Sequence, residues 1–180
     1  TLGPFVEELV YTVFGTSDVA ILALKKGDID MFWWPIQPGY LSDLSRQKKI
    51  RLFTNEKSAL YFMGFNLRRP PFSDASLRRA VAYTIDKEFI VSRILQGQGT
   101  KMFSVVPAEN RFWCCTDLPR YGDGMSREDR LKAAYQVLVD AGYSWSVPPV
   151  DAAGNLQPAK EIRLPGGQPM GRFTILTPPA

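Results

Sequence analysis

The sequence predicts an α/β fold, with mixed sheets flanked by helices. Three observations carry this expectation. Alternating apolar runs recur in the first third of the chain. A strand, a helix and a second strand follow one another within about 25 residues, a βαβ-like spacing. Further on, apolar residues repeat at helical spacing behind good cap residues.

Residues 8–14, ELVYTVF, alternate and are rich in β-branched and aromatic types, so they read as a strand. Gly15 to Asp18 then supplies a turn, with Ser17 or Asp18 as cap of a helix to about Lys26. Lys25 and Lys26 suit its negative end, and Gly27 suits its stop. Ile29–Phe32 reads as a second short strand, running into Trp33, Trp34 and Pro35. Pro38-Gly39 opens a short helix over Tyr40–Gln47. Ile50–Asn55 and Ser58–Asn66 read as two more strands. Arg68-Arg69-Pro70-Pro71 cannot continue a central strand, because proline lacks the ladder donor.

Asp74 (or Ser73) caps the next helix, on which Leu77, Ala80, Val81, Thr84 and Ile85 share a face. Arg78 and Arg79 sit early in it, against the dipole, so acidic partners or a reach to the first lobe are expected. Asp86 caps a second helix with Phe89, Ile90 and Ile94 inward, ended by Gly97 and Gly99. Residues 100–125 form a long aromatic loop. Its Arg111, Phe112 and Trp113 either face a ligand or plug the helix pair. Ser126 and Asp129 approximate a capping box for a helix striped by Leu131, Ala134, Tyr135 and Leu138, closed at Gly142. Residues 144–160 read as exposed. Glu161–Leu164 and Phe173–Leu176 read as a hairpin across PGGQPMG. Its last strand ends the chain without a partner, which suggests truncation.

With 180 residues, 45% hydrophobic and 22% charged, the chain has the mix of a soluble protein with a real core. No apolar run nears the roughly 18 residues that span a bilayer. The start, TLGPFVEEL, has no initiating Met and no basic n-region, so a mature chain or an excised piece is expected. The net charge of +4 is modest, and no Lys/Arg-rich run of the nucleic-acid type is read, so no nucleic-acid partner is expected. The adjacent Cys114-Cys115 pair cannot make a zinc site alone, and the chain has no His to help it. No metal, cofactor or catalytic residue is called for. Lack of His removes Ser-His and Cys-His chemistry. There is also no Walker A loop and no G-x-S-x-G. A carboxylate-only hydrolase is the remaining enzyme class, and Asp28/Asp30 beside a Gly turn reads as ordinary loop solvation.

One long stretch is the most identifying. Gly64-Phe65-Asn66, Pro70 to Asp74, Leu77 to Tyr83 and Ile85-Asp86 together resemble the signature region of the family 5 extracellular solute-binding proteins. These are the peptide/nickel-type receptors of bacterial ABC importers. Ala23 to Asp30 upstream, and Arg130 to Leu138 with Ala141-Gly142-Tyr143 downstream, resemble two further segments of that family. The resemblance implies part of a two-lobe, periplasmic-binding-protein-like (type II) fold, present here as an internal fragment. Residues 1–66 would belong to the first lobe and 67–180 to the second, with the crossover at Asn66–Pro71.

The resemblance implies a periplasmic or cell-surface receptor. It would bind a peptide or similar small solute by hinge closure and deliver it to an ABC permease. A sensor or protein-interaction module on the same fold is the alternative. Such sites need aromatic walls and a few fixed polar groups. Three consecutive aromatics at a strand end cannot all face one core, so Trp33 and Trp34 are the leading ligand-binding candidates. Asn66 joins them, although its side chain could equally bond its own turn. Arg68 and Trp113 complete the set. Half-lobes leave sheet edges and apolar surface uncovered, so self-association of the fragment is also expected.

Overall fold

The computed structural model describes residues 3, 5–55, 60–107 and 110–177. Its regular elements are helical: α1 Ser17–Lys26, α2 Pro38–Leu44, α3 Ala75–Thr84, α4 Lys87–Phe89, a π-helical turn at Ile90–Ile94, and α5 Arg127–Asp140. No β-strand forms among the described residues, where β pairing is limited to four isolated antiparallel bridges. The expected α/β class, with mixed sheets, is therefore corrected.

The physical reason lies in what alternation encodes. A period-two pattern says which face a strand would bury, not which backbone it pairs with. Residues 8–14, 29–32 and 50–55 find no β partner among the described residues, so no ladder satisfies their N–H and C=O groups. Residues 8–13 stay open to solvent, Val13 being 95% exposed, while Phe14, Ile29, Phe32, Ile50 and Leu52 are half-buried. The strand expected over Ser58–Asn66 begins outside the described residues, and its part from Leu60 onward is likewise unpaired.

The chain divides into two compact units, Thr1–Asn55 and Glu56–Ala180. In the first, α1 buries Ala20, Ile21 and Ala23, and α2 buries Leu44 completely. Lys25 Nζ pairs with Asp43 Oδ2 at 2.7 Å, and the Tyr40 hydroxyl donates to Asp18 Oδ1. The cap of α1 is Thr16, not Ser17 or Asp18. Thr16 has extended backbone angles and its Oγ1 accepts from the Val19 N–H at 3.4 Å. Its neighbours are already helical, and a cap must be the last residue outside. Gly27 stops the helix as expected. Proline at the start of α2 costs nothing there, since the first helical N–H is free anyway.

The second unit is built on α3 against α5. Leu77, Ala80, Ala134, Leu138 and Tyr143 form its buried cluster. Neither helix is long enough to hold alone in water, so this shared apolar face is what stabilises both. Asp74 ties the two ends of the cluster. Its Oδ1 accepts from the Ser76 N–H at 2.8 Å, capping α3, and its Oδ2 accepts from the Tyr143 hydroxyl at 2.7 Å. Burial and the adjacent carboxylate push the Tyr143 phenol well above its ordinary range. Tyr143 follows Gly142, whose φ of +85° turns the chain off α5 into the left-handed region. The Tyr143 N–H then donates to the Leu138 carbonyl at 2.9 Å.

Three further expectations are revised. The hairpin of Glu161–Leu164 with Phe173–Leu176 does not form. Arg163 bridges Pro169 instead, because the turn closes early with the Leu164 N–H on the Gln168 carbonyl at 2.8 Å. Residues 144–150, expected to be merely exposed, bridge back to 156–163 and bring Trp145, Ile162 and Leu164 onto the core. Arg78 pairs with carbonyl oxygens rather than acids, donating to Phe72 at 2.6 Å and Ser73 at 3.0 Å. It thereby holds the Pro70–Ser73 corner against α3. Phe173–Leu176, the expected last strand, is described and forms no strand, and residues 178–180 lie outside the described residues.

Candidate functional site

Trp33 and Trp34 lie beyond α1 in the first unit. Both are open to solvent, at 67% and 59% exposure, while Phe32 is half-buried. Their rings meet edge to face, with centroids 5.0 Å apart and an interplanar angle of 86°. An exposed edge-to-face indole pair presents an apolar wall and two N–H donors on one small surface. The expected strand leading into it is absent, so the pair sits on an irregular segment and not at a sheet edge.

The other candidates lie in the second unit. Asn66 Oδ1 accepts from the Arg68 N–H at 3.1 Å, so the side chain closes its own turn. The Arg68 side chain is exposed and has no ion-pair partner among the described residues. Trp113 is 68% exposed and meets Phe112 edge to face at 4.8 Å. No hydrogen bond, ion pair or ring contact among the described residues joins Trp113 to Asn66 or Arg68. The loop does cover the helix pair, but not with Phe112 and Trp113. It does so through Lys101–Phe103 and Arg120–Asp123.

That contact region is a groove of about 430 Å³, and it gathers residues that sequence reasoning missed. Arg130, almost fully buried on α5, donates from Nη2 to Asp86 Oδ2 at 2.6 Å. Asp86 Oδ1 also accepts from the Phe89 N–H at 2.8 Å, capping α4. The Arg130 guanidinium and that N–H hold the Asp86 carboxyl down at about 2. Lys101 Nζ lies 2.7 Å from Asp123 and 3.1 Å from Glu88, which raises its pKa and lowers that of Asp123. Lys87 Nζ donates to the Met102 carbonyl at 2.7 Å and sits 4.0 Å from the Phe103 ring centroid; burial lowers its pKa. A Cβ on Gly122 would come within 3.0 Å of both the Arg130 side chain and the Tyr83 carbonyl, so glycine alone fits the approach. These charges neutralise one another and hold a loop on helices. None of them pairs a nucleophile with a base. The partners are 44 and 22 residues apart, too far for any local spacing rule to find them.

Cys114 and Cys115 are both free thiols. No cluster able to hold a metal ion occurs among the described residues. No described helix is long and apolar enough to cross a membrane.

Comparison with known proteins places the chain. The family described as "Bacterial extracellular solute-binding proteins, family 5 Middle" matches residues 3–162. The "Probable deoxycholate-binding periplasmic protein YgiS" of Escherichia coli (strain K12) is 28% identical over 142 residues, 79% of this chain and 26% of that protein. The "Oligopeptide-binding protein AppA" of Bacillus subtilis (strain 168) is 26% identical over 140 residues, 78% of this chain and 24% of that protein. The "Heme-binding protein A" of Haemophilus influenzae is 25% identical over 167 residues, 88% of this chain and 28% of that protein. The chain thus spans about a quarter of the length of these relatives. No solved structure gives a significant match. A family match over nearly the whole chain decides the assignment: this chain belongs to the family 5 bacterial extracellular solute-binding proteins.

Proposed function

We propose that the chain is part of the extracytoplasmic receptor of an ABC importer, which closes two lobes over a peptide or similar small solute and delivers it to a membrane permease. The observation that carries this reading is the family match over residues 3–162. Membership makes the protein a binding protein rather than an enzyme, and an extracytoplasmic one. The printed names of relatives, an oligopeptide binder, a deoxycholate binder and a heme binder, favour small solutes with apolar surface as cargo.

In this reading Trp33 and Trp34 form an aromatic wall of the solute site, with Trp113 as a second aromatic contact. Arg68 answers a solute carboxylate, and Asn66 shapes the turn that presents it. The first lobe takes in residues 1–66 and the second 67–180, with the crossover at Asn66–Pro71 as hinge. Exposed indoles support the reading, because apolar rings left in water gain most when a solute covers them.

Calorimetry of the complete gene product against short peptides tests the site. The double variant Trp33→Ala/Trp34→Ala is expected to weaken binding at least about tenfold, the scale of two lost aromatic contacts. Affinity unchanged in that variant, with the fold intact by circular dichroism, would remove both residues from the site.

A further inference from the structure

The first unit is neutral overall but its charges are segregated. Residues 1–55 carry six Lys/Arg and six Asp/Glu. Four of those cations are Arg46, Lys48, Lys49 and Arg51, and no acid occurs in residues 44–55. Asp43, the flanking acid on the N-terminal side, is engaged by Lys25 at 2.7 Å, and Glu56, on the other side, lies outside the described residues. None of the four cations has an ion-pair partner among the described residues, and all four side chains are exposed.

Three of them, Lys48, Lys49 and Arg51, line a cavity. Ser45, Lys48, Lys49, Ile50, Arg51 and Leu52 line one open hollow of about 430 Å³. Ile50 and Leu52 are half-buried and give it an apolar floor. Just beyond, Phe53 stands in solvent, with the Arg51 guanidinium 5.8 Å from its ring centroid. Clustered cations without an ion-pair partner among the described residues attract an anionic surface. A ring held beside those cations adds an apolar anchor at the level of lipid headgroups. A free inorganic anion would use the cations but leave the apolar floor and Phe53 without a counterpart, and an extracytoplasmic family member meets lipid rather than nucleic acid.

We propose that the Arg46–Phe53 patch docks on an anionic phospholipid surface, with headgroup phosphates in the hollow and the Phe53 ring at the interface. An extracytoplasmic protein meets such a surface where its host membrane carries acidic lipids. The attraction is electrostatic at long range, so it weakens as salt shortens the screening length.

Flotation of the complete gene product with lipid vesicles tests this, because unbound or aggregated protein does not rise with the lipid. Vesicles of phosphatidylcholine are compared with vesicles containing about one third phosphatidylglycerol, an anionic surface that juxtamembrane cations bind. The chain is expected to float with the anionic vesicles only, and less so as salt rises. The variant Lys48→Gln/Lys49→Gln/Arg51→Gln is expected to lose roughly tenfold or more in partitioning. Lys48→Arg/Lys49→Arg retains binding, and Phe53→Ala weakens it at unchanged charge. Absence of flotation, equal flotation with neutral vesicles, or an unchanged Gln variant would overturn the proposal. So would inorganic phosphate, an oligonucleotide or an acidic peptide saturating the same residues while the chain stays off the vesicles.

Discussion

At the residue scale, Asp86 joins two parts of the second unit through one carboxylate. One oxygen caps α4 and the other holds Arg130. Its pKa is lowered from 3.8 to about 2, so the charged form favours the fold. The stabilisation is fully present above the ordinary value of 3.8 and is lost as pH falls toward about 2. The unfolding temperature is therefore expected to drop across that window. Arg130→Met should flatten the drop and return Asp86 toward its ordinary pKa, read by carbon-detected NMR titration. An unchanged titration in the variant would contradict the pairing. Asp74→Ala is expected to cost about 1–2 kcal/mol, a cap together with a buried hydroxyl partner, measured by urea unfolding. Tyr143→Phe should cost less, and the two changes should not add, because they remove the same bond. The caps at Asp74, Asp86 and Ser126 were legible in sequence, since a cap acts within three residues. The Arg130–Asp86 pair was not, since nothing local in the chain marks it.

At the scale of elements, helices were readable and strands were not. A helix closes its hydrogen bonds within its own segment, so α1, α3 and α5 could be placed from caps, stripes and stops. A strand needs a second segment, and the alternating runs at 8–14 and 50–55 find none among the described residues. The core follows the helices. Leu77→Ala and Leu138→Ala, at the α3–α5 contact, are each expected to cost about 2–4 kcal/mol in urea unfolding. Val13→Ala, on an unpaired run, should change stability by less than about 0.5 kcal/mol. Similar costs at all three positions would mean that the alternating run packs after all. Gly142→Ala should cost about 1 kcal/mol, because a Cβ is strained at that positive φ.

At the scale of the whole molecule, the family was legible in the motif order from Ala23 to Tyr143, and the match over residues 3–162 bears it out. The candidate site was legible only as residue types. Exposed Trp33, Trp34 and Trp113 satisfy the chemistry of a solute wall, but their sequence says nothing about what faces them. Much apolar surface is open, including Val13, Phe53, Tyr61 and Leu176. The isolated chain is therefore expected to self-associate with rising concentration and to bind an apolar dye; a dye-free monomer in sedimentation would contradict this.

The proposed role makes the chain one part of a solute-binding site. Calorimetric titration of short peptides into the complete gene product and into these 180 residues alone tests it most directly. Saturable binding by the complete product and weak or no binding by the 180 residues are expected, because closure covers a solute from two sides. Failure of the complete product to bind any small solute, or equally tight binding by the 180 residues alone, would contradict it.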